Sequence, residues 1–304
     1  MNETHRPPLH VDTSVGTGAD AIAAAFARHG VDVVFGQSIP SAFHLAAPAH
    51  GIRQAAYRTE NAGGAMADGY ARVSGRVGVV TAQNGPAATL LVAPLAEALK
   101  ASVPVVALVQ DVDRAVADRN AFRELDHESL FRPVAKWVRR VEHASRIDDY
   151  VDMAFTAAAG GRPGPAVLLV PGELLAAAAT PGRRGACLGH CPLDRPVPDA
   201  ARIAEAAAWL AEARQPLVVA GGGVHSSGAA AALADLQERC HLPVATTVMG
   251  KGTVDETHPL SIGVIGHAMG DGSPTAGLHG FVRGADVVLL AGTRTSQNGT
   301  DSGA

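Results

Sequence analysis

Between Thr17 and Pro171 the chain switches repeatedly between two hydrophobic periods, and this switching limits the fold more than any other feature. An apolar stripe at helical spacing, followed by a short unbroken apolar run, is the pattern of strands buried on both faces by the helices that connect them. TGADAIAAAFARHG (Thr17 to Gly30) predicts a helix with Ile22, Ala25 and Phe26 on one face, stopped by Gly30. VDVVFGQ (Val31 to Gln37) predicts a buried strand. A helix from about Pro40 to Ala49, a strand from Ile52 to Thr59 and a helix from Glu60 to Val73 follow. Next come the strand VGVVTAQ, a helix from Pro86 to Ala101 and the strand PVVALVQ, then a helix near Arg146 to Ala159 and the strand PAVLLVP. The expected fold is α/β, with a mostly parallel sheet covered on both faces.

A chain of 304 residues has room for two such units. Residues 1–15 are expected to be a tail and 16–175 the first domain. Residues 176–198 shift to Ala, Gly, Arg and Pro without any period, which predicts a linker. From 199 to 304 a second alternation runs through DAARIAEAAAWLAEAR, PLVVAGGGV, SSGAAAALADLQERC, LPVATTV and ADVVLLAGT. It predicts a Rossmann-like α/β domain that stops just after a buried strand and is therefore incomplete.

Composition removes several function classes. Apolar residues at 47% and charged residues at 18% exclude disorder. A net charge of −4 is too near neutral for a protein that binds nucleic acid by neutralising phosphates. No apolar run reaches the roughly 18 residues of a membrane span, and MNETHRPPLHVDTSVG lacks a signal-peptide core, so no membrane is expected and a cytoplasmic location is. Three cysteines, Cys187, Cys191 and Cys240, suit a reducing compartment. CLGHC, with His190, invites a zinc reading, but a fourth ligand is not evident, and a thiol pair in a linker is the simpler account.

Three segments carry candidate chemistry. In YRTENAGGAMADGYAR, Glu60 lies where a buried strand enters a helix. An acid there is either a plain complement to the helix dipole or a carboxyl group held in one direction for use. Gly63, Gly64 and Gly69 are costly inside a helix and signal that something approaches the backbone closely. In TAQNGPAATLLVAPLAEALKA, a strand runs into Asn84, Gly85 and Pro86 and a helix begins at once. This is either a simple strand-to-helix turn or a second wall of the site containing Glu60. DVDRAVADRNAFRELDHESLF is polar, irregular and too long for an idle connection, as expected of a loop that carries function.

Together GADAIAAAFARHGVDVVFG, RTENAGGAMADGYAR, NGPAAT with its APLAEAL helix, AFRE and GRPGPAVLLVP resemble, in order, the pyrimidine-binding domain of thiamine-diphosphate enzymes of the acetolactate synthase group. The second unit resembles that group's central domain. The resemblance implies that Glu60 contacts N1′ of the cofactor's aminopyrimidine and favours the tautomer that takes the thiazolium C2 proton. Burial would raise the carboxyl pKa and suit it to that role. It further implies cofactor contacts from Asn84, Gly85 and Pro86, and a keto-acid site near Phe122 and Arg123. The guanidinium of Arg123 is then either a substrate contact or a solvated loop charge.

The implied reaction decarboxylates a 2-keto acid such as pyruvate and joins the two-carbon unit to a second carbonyl, as in branched-chain amino acid biosynthesis. A decarboxylase, an acyl-transferring relative and a non-catalytic assembly partner are the alternatives. Several family positions differ: Thr59 stands for His, Asn61 for Gln, Arg123 for Gln, Gly172 for Lys, and Ser38 and Ile39 for Gly-Gly. The family binds the diphosphate through Mg²⁺ in a separate C-terminal domain. A partial subunit is therefore expected, working as a homo-oligomer or with a chain that supplies that domain. Gly270, Asp271 and Gly272 with Asn298 mimic the diphosphate motif, but they sit in a segment that resembles the central domain, so no metal residues are expected in this chain. AGGGV (Ala220 to Val224) resembles a dinucleotide turn without a full G-x-G-x-x-G and leaves FAD open.

Overall fold

The computed structural model describes residues 16–179, 182, 185 and 187–299; the expected tail, 1–15, lies outside the described residues. The chain divides into two compact units, with the boundary between Asp194 and Arg195.

The first unit begins β1 (Gly16–Thr17), α1 (Gly18–Arg28), β2 (Val33–Gly36), α2 (Ser41–Ala46), β3 (Arg53–Ala56), α3 (Glu60–Ser74) and β4 (Gly78–Ala82). It continues α4 (Pro86–Leu90), α5 (Val92–Ala101), β5 (Val105–Asp111), α6 (His127–Phe131), β6 (Trp137–Arg140), α7 (Ile147–Ala159), β7 (Pro165–Pro171), α8 (Gly172–Ala176) and β8 (Ala178–Ala179). Six strands form one sheet in the order β3-β2-β4-β5-β7-β6, and every neighbouring pair is parallel. The chain leaves β2 toward β3, then returns past β2 to reach β4. In open parallel sheets the crevice beyond the carboxyl ends at such a reversal is where ligands bind.

Both faces of the sheet are covered. On one, Phe26 of α1 meets Phe43 and Phe155 edge to face at 5.5 and 5.6 Å, over Val79, Val106 and Leu168. On the other, Ala67, Ala71, Leu91, Leu95 and Phe131 pack on Val80, Val105 and Val167. Helix α1 starts where the sequence predicts because Thr17 and Asp20 form a capping box, a device typically worth about 1 kcal/mol. The helix expected over 86–101 is broken at Leu91 into α4 and α5. Pro94 in the first turn of α5 has no N–H to bond the carbonyl of Leu90, and its ring crowds that carbonyl.

The segment expected to be a linker is largely part of the first unit. β8 pairs antiparallel with β1, the Val77 N–H donates to the Gly189 carbonyl at 3.0 Å and the Cys191 N–H to the Gly75 carbonyl at 3.1 Å. Leu188 and Leu193 pack against the core under α1 and α7. β8 and residues 187–194 thus form a strap on the domain, held by backbone hydrogen bonds to turns.

The second unit contains α9 (Ala200–Glu212), β9 (Pro216–Ala220), α10 (Gly222–Ser226), α11 (Ala230–Cys240), β10 (Val244–Thr246), β11 (Ser261–Val264), α12 (His279–Arg283) and β12 (Val287–Ala291). Its sheet is parallel in the order β11-β10-β9-β12. Helix α9 buries none of its residues, and Trp209 is 59% exposed. Two of the glycines of AGGGV, Gly221 and Gly223, are used by protein backbone. A Cβ on Gly221 or Gly223 would lie 2.5 and 2.7 Å from Gly292, in the turn that follows β12. Among the described residues no helix is long and apolar enough to cross a membrane.

Candidate functional site

The reversal brings three strand ends together. β2 ends at Gly36 opposite Ala56 of β3, and Phe35 pairs with Val80 of β4. After β2, the Gln37 side chain donates from Nε2 to the carbonyls of Tyr57 at 3.2 Å and Arg58 at 2.8 Å, which fixes the exit from β3. Tyr57 is buried and its hydroxyl donates to the Thr81 carbonyl of β4 at 2.7 Å. Its ring lies against the first turn of α3, where a Cβ at Gly63 would come within 2.3 Å of it. Burial, reinforced by the Glu60 carboxylate, pushes the Tyr57 phenol well above its usual range.

Glu60 is the first residue of α3 and is half-buried. Thr59 caps the helix without a side-chain hydrogen bond, and among the described residues no group hydrogen-bonds the Glu60 carboxylate. Deeper in the reversal, His44 Nε2 is 3.0 Å from Thr81 Oγ1, and the absence of a Cβ at Gly36 makes room for both side chains. Burial pushes the His44 pKa down.

The turn after β4 is bound to the polar loop that follows β5. Asn84, buried, donates from Nδ2 to the carbonyls of Phe122 at 2.8 Å and Arg123 at 3.2 Å. Gly85, at φ 67° and ψ −128°, lies on the Arg123 backbone, where a Cβ would come 2.6 Å from Arg123 Cβ. Its N–H donates to His127 Nε2 at 2.8 Å. Pro86 opens α4. Arg123 donates from Nη1 to Gln83 Oε1 at 2.8 Å and its guanidinium covers the ring of Phe122, which is 72% exposed.

Asn84, Gly85, Phe122 and Arg123 therefore form one contact group, and Glu60 is tied to the same strand ends through Tyr57 and β4. Sequence reasoning missed Gln37, Tyr57, Asp111 and His127. His127 pairs with Asp111, sixteen residues earlier, and no local pattern in LDHESLF points to that partner.

Gly270, Asp271 and Gly272 lie in an exposed loop, and the side chain of Asn298 lies outside the described residues. Among the described residues no three His, Cys, Asp or Glu side chains gather as a metal site.

These features define an open parallel α/β domain whose strand order reverses at β2, the kind of place where such sheets bind ligands. Comparison with known proteins identifies the type. Residues 16–130 match the thiamine pyrophosphate enzyme N-terminal TPP binding domain, and 203–303 match the central domain of the same enzymes. The chain belongs to the thiamine pyrophosphate enzyme family. It is 37% identical over 297 residues to an acetolactate synthase of Arthrospira platensis, covering 91% of this chain and 49% of the relative. It is 36% identical over 288 residues to an acetolactate synthase large subunit of Parasynechococcus marenigrum, covering 91% and 46%. A probable acetolactate synthase large subunit of Methanocaldococcus jannaschii is 34% identical over 300 residues, with 93% and 48% covered. The chain spans about half the length of these relatives.

Proposed function

We propose that this chain is the pyrimidine-binding part of a thiamine-diphosphate-dependent carboligase of the acetolactate synthase type, acting on a 2-keto acid such as pyruvate. The observation that carries this reading is the Glu60 carboxylate, which begins α3 beside the reversal, half-buried and without a hydrogen-bond partner among the described residues. A carboxyl group so placed fits the ring nitrogen of an aminopyrimidine, to which it can give or share a proton. When bound, the cofactor supplies the electron sink for decarboxylation and carbon–carbon bond formation. The chain's residues orient and exclude. Glu60 holds the ring nitrogen and its proton, Tyr57 and Gln37 fix the approach to Glu60, and Arg123 offers a guanidinium to the keto acid's carboxylate.

Asn84, Gly85 and Pro86 serve the site by shaping its wall and holding the loop of Phe122 and Arg123. The diphosphate and its Mg²⁺ would be held by a domain of a second subunit, a copy or a separate chain. An exposed stripe on α3, on the face of the helix turned away from Glu60, is a seat for such a partner: Ala62, Ala65, Met66, Gly69 and Val73 follow helical spacing and cover nothing among the described residues. Gly221 and Gly223, just after β9, are occupied by backbone packing and lend no support to a flavin.

The test is Glu60→Gln in the enzyme assembled with a diphosphate-binding domain, with products from pyruvate identified. Loss of acetolactate formation by several orders of magnitude is expected. Undiminished turnover, or acetaldehyde as the sole product of the unmodified assembly, would overturn the reading.

A further inference from the structure

We infer that His127 is a positioning residue for this reaction: it clamps the loop after β5 onto the Gly85 turn and so holds Phe122 and Arg123 beside the carboxyl end of β4. The inference rests on the function proposed above for its purpose, and on the geometry alone for its existence.

The His127 side chain is 1% exposed, enclosed between the end of β5 and the turn after β4. A backbone amide only donates, so His127 Nε2 must accept from Gly85 N–H at 2.8 Å. The ring is then neutral with its proton on Nδ1, which donates to Asp111 Oδ1 at 2.9 Å. The other Asp111 oxygen is 3.1 Å from Arg140 Nε, and the Val112 N–H also donates to Asp111 Oδ1 at 2.9 Å. Asp111 is thus fixed from β6, two strands away across β7, and by the backbone of the residue that follows it, and through His127 it fixes Gly85.

The loop between these anchors needs holding. Asp118, Asn120 and Arg123 take left-handed backbone angles, φ 62°, 55° and 58°. Asp and Asn adopt this conformation readily, whereas Arg does so only when its surroundings enforce it. The Glu124 carboxylate folds the loop on itself by accepting the N–H groups of Asp118 at 2.7 Å and Ala121 at 2.9 Å. Asn84 and His127 then pin the folded loop to the β4 turn, one through the carbonyls of Phe122 and Arg123 and the other through Gly85. The Arg123 guanidinium reaches Gln83 as a result of both contacts.

Nitrogen-15 NMR of the full chain near neutral pH reads the His127 ring directly. A protonated Nδ1 beside an unprotonated Nε2 is expected, and the opposite tautomer or an imidazolium would overturn the inference. Amide exchange in His127→Gln and His127→Leu reads the clamp. The oxygen of Gln can still accept from Gly85, whereas Leu fills the space without accepting. In H127L the amides of Gly85, Asp118, Ala121 and Glu124 should exchange about tenfold faster or more, with β5 and β7 unchanged. In H127Q they should remain close to the parent. Equal exchange in both variants, fast or slow, would overturn the clamp, and the tautomer measurement stands even if H127L does not fold. None of these readouts needs a cofactor, so a failed Glu60→Gln test leaves them untouched.

Discussion

Gly63 and Gly69 lie in the same helix for different reasons. A methyl group at 63 would meet the ring of Tyr57 at 2.3 Å, and that ring cannot swing away because its hydroxyl is bound to the Thr81 carbonyl. A methyl group at 69 meets nothing within 4 Å. Gly63→Ala should therefore destabilise the chain by about 2–3 kcal/mol through overpacking. Gly69→Ala should stabilise it by about 0.5–1 kcal/mol by restricting the unfolded chain and favouring helix. Urea unfolding of the two variants checks the pair, and an equal or inverted effect would refute the packing assigned to α3. The sequence flags these glycines as points of close approach, and Gly63 and Gly64 are such points, against Tyr57 and Pro94. What approaches them is protein rather than ligand. A glycine reports that space is taken without saying by what.

At the scale of elements, periodicity carried most of the fold. Strands buried on both faces announce themselves as apolar runs, and PAVLLVP is found as β7 at Pro165–Pro171. The strap made by β8 and residues 187–194 was not legible, because backbone groups bonding to turns leave no side-chain period. Nor were His127 and Asp111, whose partners are distant in sequence. Glu60, Asn84, Gly85, Phe122 and Arg123 were marked by ordered resemblance, which picks out segments but not the contacts between them. The strap also supplies a pH effect. His29, 2% exposed, accepts the Leu188 N–H at Nδ1 at 2.9 Å and faces Asp152 through Nε2 at 2.7 Å. Burial lowers its pKa, against the pull of Asp152. As pH falls below the ordinary histidine value of about 6.5, the unfolded chain takes up a proton before the folded one does, so stability drops with acidification until the lowered folded pKa is passed. Above that range the contribution is complete. His29→Asn keeps an acceptor for Leu188 but cannot titrate. Its unfolding free energy should be lower at pH 8 by about 1–3 kcal/mol and should fall less steeply between pH 6.5 and 5, with His44 still contributing some slope. A slope as steep as the parent's would remove His29 from the account.

For the whole molecule, the central fact is that this chain spans about half of the acetolactate synthases it resembles, while the carboxylate proposed to do its chemistry is only half-buried among the described residues. A crevice with one wall cannot exclude water, and a proton shared between a carboxyl group and a ring nitrogen is worth most in a dry site. A partner has a natural seat on α3, where Ala62, Ala65, Gly69 and Val73 form an exposed stripe of small or apolar residues on the helix face turned away from Glu60, and Val73 is 91% exposed. Small residues in a stripe let another helix approach closely, and one long charged side chain among them would hold it off. Ala65→Arg should therefore leave unfolding of the chain within about 0.5 kcal/mol of the parent, as for an exposed helical position. The same variant should weaken association, with itself or with a chain carrying the diphosphate domain, by about tenfold or more in sedimentation velocity, since a buried unpaired guanidinium is costly. Association undiminished by Arg at 65 would mean that the partner approaches from another side.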